Sequence, residues 1–389
     1  MKDRRSSSTS DNPRSTAAGL LAFPEARRNG IRRPVTRSER IFNAVSVVVL
    51  ILFASGWSWS IANARSASNG AANGATPATA AIANGLTDGS APTAAYVTGA
   101  ILDALMPLTG ESGKLKASIR PQGGAILPDK LPPGAAATFS NGAVAESATS
   151  LRAPARVGIW KLAISAANAI KPLAGFSVIT LRPASEEQGG RLGLYFLGSW
   201  PAAKQVKPGV VYRPPGGFIE VTQQNQDTQL SEHFKLRDFL PHDQMNVWPK
   251  YIAIDMKLID KDELILTDLQ QHGVDVSGVT VMSGFRTPQY NAGGGDPRGR
   301  AALSRHMYGD ANDIFIDSDK NGQMDDLNHD GRVNIADARV IQDAVTRVER
   351  AHPSLVGGCG VYSGTSAHGP FTHIDTRGYP ARWIGTGDS

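Results

Sequence analysis

The stretch Ser304-Arg-His-Met-Tyr-Gly-Asp-Ala-Asn-Asp313 sets an imidazole, His306, seven residues before a carboxylate, Asp313, with a glycine between them. That is half of a metal site. A divalent zinc ion in a catalytic centre usually takes three protein ligands from His, Asp or Glu and keeps one position for water. The third ligand is available near the C-terminus, in Gly369-Pro-Phe-Thr-His-Ile-Asp-Thr-Arg-Gly378, so the predicted zinc ligands are His306, Asp313 and His373. Satisfied structural histidines, or a metal kept for stability alone, are the competing readings.

The same residues carry a resemblance. Ser304, His306, Gly309, Ala311 and Asp313 match the pattern S-x-H-x-x-G-x-A-x-D of the zinc D-Ala-D-Ala carboxypeptidase and dipeptidase family, which includes phage endolysins and the hedgehog-type domain. Upstream, Ser283-Gly-Phe-Arg-Thr-Pro-Gln-Tyr-Asn291 is similar to that family's S-G-[FY]-R-[ST] block. Downstream, His373-Ile-Asp375 with Arg382-Trp383 resembles its closing strand. The resemblance covers roughly 218–383. It implies an α+β fold in which an antiparallel-sheet zinc peptidase domain, 208–389, cuts peptidoglycan stem peptides or crosslinks. The partners are then peptidoglycan and the cytoplasmic membrane, in a bacterial cell envelope, with the domain in the periplasm or outside. The alternative is a noncatalytic, metal-stabilised wall-binding module.

The formal charge of the 389-residue chain is +5, and its location matters more than its size. Residues 1–40 hold ten Lys or Arg against four Asp or Glu, a net of +6, so the remainder sits near −1. With no basic stripe interleaved with aromatics in the rest, no nucleic-acid partner is expected. The single cysteine, Cys359, excludes an intrachain disulfide. It reads as a small buried residue on a strand, with a thiolate ligand as the other option.

Along the chain, 1–40 reads as a disordered basic cytoplasmic tail. Residues 41–62 are uncharged and long enough to span a bilayer, as a transmembrane helix or as a signal sequence cleaved after Ala64. Residues 63–150 are dominated by Ala, Gly, Asn, Ser and Thr and read as a low-complexity linker with one short helix over 96–106. A small β-rich module is expected over 151–207, with Gly175-Phe-Ser-Val-Ile-Thr-Leu181 and Arg191-Leu-Gly-Leu-Tyr-Phe-Leu197 joined as a hairpin through Gln188-Gly-Gly190. Apolar spacing predicts helices over 260–270 and 338–350 and a strand over 279–283.

An insertion, 317–337, follows the strand that bears Asp313. Asp326, Asn328, Asp330, Arg332 through its carbonyl, Asn334 and Asp337 fall in an EF-hand register around Gly331, predicting a structural calcium site. An overlapping register starts at Asp317 with Asp319, Asn321 and Gly322 but ends on Asn328, so one good site and a weaker neighbour are expected.

For the chemistry, the resemblance assigns Arg286 to the developing oxyanion or the substrate carboxylate, and adds Tyr290 and Ser304 as substrate contacts. The family's Glu, three residues before the last histidine ligand, is Pro370 here. The general base is then His368 or Asp375. Strand alternation puts residues 373 and 375 on one face, so Asp375 could instead orient a ligand or bind Arg382.

Overall fold

The structure is a computed structural model. It describes residues 105–385 apart from 128–130, 132–134, 143, 149–150, 167–168, 295–299 and 366–367. The expectations for 1–40, 41–62 and the short helix mostly fall outside the described residues.

Five strands form the first sheet: β1 (Ala117–Arg120), β2 (Ala135–Asn141), β3 (Val144–Ala148), β4 (Gly158–Ala166) and β5 (Ala169–Thr180), in the order β1-β5-β4-β2-β3. Every neighbouring pair is antiparallel except β1 with β5. In β2, Ala135, Ala137 and Phe139 are buried and alternate with more exposed residues, the period-two pattern of a half-buried strand. Short pairs follow. β6 (Arg182–Pro183) joins β11 (Gly217–Val221) and β12 (Lys250–Ile252), while β7 (Arg191–Leu192) pairs with β8 (Tyr195–Phe196) and β9 (Lys204–Lys207) with β10 (Val210–Tyr212).

The sheet that positions the metal candidates has five strands in the order β13-β14-β16-β15-β17: β13 (Val279–Ser283), β14 (Ala311–Ile316), β15 (Gly358–Tyr362), β16 (Phe371–Asp375) and β17 (Ala381–Gly385). One face, including Ile314, Cys359, Val361 and Ile374, is buried with the apolar stripes of two helices. Helix α1 (Met256–Gln271) is capped by Asp255, whose side chain accepts from the Lys257 amide, and buries Leu258, Ile259, Ile265, Leu266 and Leu269. The short α2 (Pro288–Gly293) is capped by Thr287. Helix α3 (Ile335–Ala351) starts at an Asn334 capping box with Asp337 and buries Ala338, Ile341, Ala344, Val345 and Val348. Alternation leaves the opposite face of the sheet for Asp313, Gly360, Tyr362 and His373.

Four expectations need correction. The fold has no described membrane-spanning element: no helix among the described residues is long and apolar enough to cross a membrane, and 41–62 lies outside them. The site sheet is mixed rather than antiparallel, because β17 runs parallel to β15. Much of the supposed linker is folded, since β1, β2 and β3 lie before residue 150. Finally, the expected hairpin is two separate things: 175–180 belongs to β5, which pairs with β4 and β1, whereas 191–196 closes on itself as β7 and β8.

Candidate metal centre

Ser304 precedes a single 3-10 turn, Arg305–Tyr308, that Gly309 ends in the left-handed conformation at φ 77°. A Cβ at Gly309 would stand 2.4 Å from the Ala253 carbonyl oxygen, so only glycine lets the turn approach the start of α1 this closely. Two residues later the chain enters β14, which carries Asp313. β16 pairs with β14 so that Asp313 lies directly across from His373. Register and alternation, two features of strand pairing, thus bring residues sixty apart in sequence to one point.

His306, Asp313 and His373 converge. His306 Nε2 lies 3.1 Å from His373 Nδ1 and 3.2 Å from Asp313 Oδ1, and His373 Nδ1 lies 2.8 Å from the same oxygen. Ligand atoms on a tetrahedral zinc stand about 3.3 Å apart, given bonds of roughly 2.0–2.1 Å, so this triangle is nearly of ligand size. The far nitrogens are tied down. His306 Nδ1 donates to the Gly284 carbonyl at 2.7 Å, and His373 Nε2 faces Asp375 Oδ2 at 3.1 Å. These partners assign the N–H of each ring to its outer nitrogen, which turns two lone pairs and a carboxylate oxygen toward one another. Three buried acceptors in mutual contact fit a cation at their centre.

For His306 and Asp313 the electrostatics match the protonation state of a ligand. Burial pushes the His306 imidazole down to about 4, with the Arg286 guanidinium adding to the effect, so His306 is neutral at pH 7. Burial alone would raise the Asp313 carboxyl, but both imidazoles and Arg286 outweigh it and hold it well below the usual carboxylate range. Burial disfavours the His373 cation, yet the carboxylates of Asp313 and Asp375 prevail and raise its affinity for a proton.

The remaining expected site residues are distributed differently from the sequence reading. Arg286 donates through Nη2 to Asp313 Oδ2 at 2.7 Å and through Nε to Ser283 Oγ at 2.8 Å. It therefore positions a ligand, and only its Nη1 remains without a hydrogen bond among the described residues. Asp375 is not placed to act as a base. It is buried behind His373 and accepts from the Gly358 and Arg377 amides, and it pairs with the Arg377 guanidinium rather than with Arg382, which binds Glu349. Asp375 is an orienting carboxylate of the kind that fixes a ligand imidazole. His368 and Ser304 line the open cleft of about 680 Å³ beside the triad. The His368 Nδ1 donates to the Gly369 carbonyl at 2.9 Å, which leaves Nε2 as its basic nitrogen. Tyr290 is absent from the cleft lining and instead packs its ring under Arg300, which does line it.

Sequence reasoning missed Tyr212, Tyr362 and Arg377 in the cleft wall and quoted Trp383 only as part of a closing strand. The Trp383 ring lies 5.2 Å from that of His373, and its room comes from Gly360, where a Cβ would meet the indole at 2.3 Å. Alternation along Gly358-Cys-Gly-Val-Tyr362 could have placed Gly360 and Tyr362 on one face with His373.

In the insertion, the carboxylates that gather are those of Asp317, Asp319 and Asp325, in the first loop. Asp326 and Asp330 do not cluster with Asp337, whose oxygens instead accept from the Asn334 and Asn328 amides to cap α3. Asn328 bonds Asp330, and the Arg332 carbonyl accepts from Asn334. The two loops nevertheless repeat one backbone turn nine residues apart: Lys320 and His329 both have φ 59°, and Gly322 and Gly331 have 84° and 82°. Cys359 is buried, and its thiol is pushed up to about 12 by burial, so it reads as an inert core residue.

No protein-family model matches this chain, and neither the curated proteins nor the solved structures contain a match.

Proposed function

We propose that this protein is a zinc-dependent peptidase that hydrolyses peptide bonds in peptidoglycan stem peptides or crosslinks, outside the cytoplasm. The observation that carries the reading is the triangle of His306 Nε2, Asp313 Oδ1 and His373 Nδ1, with every outer nitrogen already committed and a cleft open beside it. A structural zinc site is normally closed by a fourth protein ligand, whereas a catalytic one keeps a position for water. Among the described residues no fourth His, Cys, Asp or Glu joins the three. The substrate class rests on the resemblance of 218–383 to the D-Ala-D-Ala carboxypeptidase family.

Zinc bound there would acidify a water and polarise the scissile carbonyl. The chain supplies the rest. Asp375 and the Gly284 carbonyl hold the two imidazoles in their tautomers, and Arg286 holds the Asp313 carboxylate while offering Nη1 to an anionic group of the substrate. His368 acts as general base through Nε2. Calcium is proposed as a second, structural ion in the Asp317–Asp319–Asp325 loop.

Incubating the purified protein with sacculi should release muropeptides, and a zinc chelator should abolish the release until zinc is restored. His368→Ala should lower turnover about 100-fold or more with zinc content unchanged. Sacculi that are bound but never cut, with or without chelator, would sink the peptidase reading in favour of a wall-binding module.

A further inference from the structure

Tyr362 ends β15 and stands across from Phe371, with the two rings stacked at 4.4 Å and 5°. The stack fixes the phenol ring, so the position of its oxygen is set by the sheet rather than by a loop. That oxygen accepts a hydrogen bond from Trp383 Nε1 at 2.8 Å. An indole N–H can only donate, so this bond uses a lone pair of the hydroxyl and leaves its hydrogen uncommitted. Among the described residues the hydroxyl makes no other hydrogen bond. Tyr362 lines the cleft together with His306, Asp313 and His373. Trp383, which orients the hydroxyl, also packs on the His373 ring, so one indole ties the phenol to a metal ligand. Burial raises the affinity of the phenol for its proton above the ordinary value, and the Asp313 carboxylate adds to this. The group is a donor at neutral pH.

We propose that Tyr362 is a further catalytic residue of the peptidase proposed above, on which this inference rests: its O–H donates to the oxyanion that develops on the scissile carbonyl oxygen. The step balances without a proton from Tyr362. His368 Nε2 takes one proton from the attacking water, the carbon–nitrogen bond breaks with its electron pair going to nitrogen, and His368 returns the proton to the leaving amine. Peptide and water give one carboxylic acid and one amine. Tyr362 keeps its hydrogen throughout and lends it as a fixed dipole, the preorganised donor that is strongest where charge appears only in the transition state.

The test is Tyr362→Phe, which retains the stacked ring and removes only the hydroxyl. On purified sacculus-derived muropeptides kcat should fall roughly 100-fold, the scale of one lost oxyanion donor, with KM within about twofold and zinc content unchanged. An independent reading comes from binding. A phosphinate pseudodipeptide, whose charged tetrahedral centre imitates the oxyanion, should bind this variant about 30-fold or more weakly by calorimetry, while the product peptide binds as to wild type. Trp383→Phe leaves the hydroxyl in place and should cost kcat less than about tenfold. Wild-type kcat and phosphinate affinity in Tyr362→Phe would overturn the proposal, and so would a loss confined to KM or zinc content, or an equal loss in Trp383→Phe. A wild-type protein with no chelator-sensitive hydrolysis overturns this proposal and the peptidase reading together. An active wild type with an unaffected variant overturns this one alone.

Discussion

Asp262 is a carboxyl group sealed from water on α1, and its behaviour shows how the site strand is held. Its Oδ2 accepts from Asn312 Nδ2 at 2.7 Å, while its Oδ1 and the Asn312 Oδ1 have no partner. Two orphan acceptors on side chains already joined through their other arms call for a proton between them. Burial supplies it by pushing the Asp262 carboxyl up to about 8. The sign follows from linkage. The unfolded chain releases this proton near pH 4 and the folded chain keeps it to about 8, so this residue costs stability progressively as pH rises through that window, on the order of 1 kcal/mol per pH unit. Asp262→Asn offers a permanent N–H in the proton's place. Urea unfolding at a series of pH values should show the variant gaining on wild type between pH 4 and 8, and a pH-independent difference would refute the neutral pair. Asn312 adjoins Asp313, so this pair anchors the ligand strand from behind. None of it was legible in the sequence, where Asp262 is one acid in a charged run. The triad was legible because ligand chemistry restricts residue type and the blocks around His306 and His373 are distinctive. The role of Arg286 was not, since a free guanidinium and one committed to Asp313 read alike.

At the scale of elements, the helices were the plainest reading, because α3 buries one stripe and exposes the other and the apolar residues of α1 keep helical spacing, although its charged run Asp260–Glu263 is buried as well. The first three strands of the first sheet were hidden by composition. Alanine and glycine carry little apolar signal, yet Ala135 and Ala137 are buried in β2 beside Phe139. Strand pairing lets small residues fill a core that larger neighbours such as Trp160 complete. The insertion was recognised, but its two registers share Asn328, and spacing alone cannot show which loop gathers its carboxylates at one point. Among the described residues the first loop brings three carboxylates together, those of Asp317, Asp319 and Asp325, while Asp337 of the second register also caps the first turn of α3. That loop also abuts the His368 segment, since a Cβ on Gly369 would meet Gln323 Oε1 at 2.5 Å. Calorimetric titration should therefore find calcium binding that Asp319→Ala weakens about tenfold or more and Asp330→Ala leaves nearly intact. The reverse ranking would move the ion to the second loop, and no heat with wild type would remove it.

Over the whole molecule, the boundary expected at residue 208 cuts through a core. One cluster joins Leu115, Ala117 and Ile119 of the β1 segment, Ile179 of β5 and the buried Leu192, Tyr195 and Leu197 to Phe218, Leu258, Ile314 and Ile374. A second cluster, around Phe139, Trp160 and Leu162, lies within the first sheet. Polar contacts cross the same boundary: Asp260 accepts from the Glu111 and Ser112 amides, and Tyr195 donates to Asp243 at 3.0 Å. The β1 segment and Ile179 of β5 thus share a core with the site sheet, while the rest of the first sheet is built around the second cluster. Each large apolar side chain stripped from such a core costs about 1.5–3 kcal/mol, against a net stability of roughly 5–15 kcal/mol for a folded protein. A fragment beginning at residue 208 loses enough of them to exhaust that margin. It should melt without a cooperative transition and show collapsed amide dispersion by NMR, whereas the chain from residue 105 should unfold in a sharp transition. A fragment from 208 that melts cooperatively within a few degrees of the longer chain would show that the two cores are energetically separate.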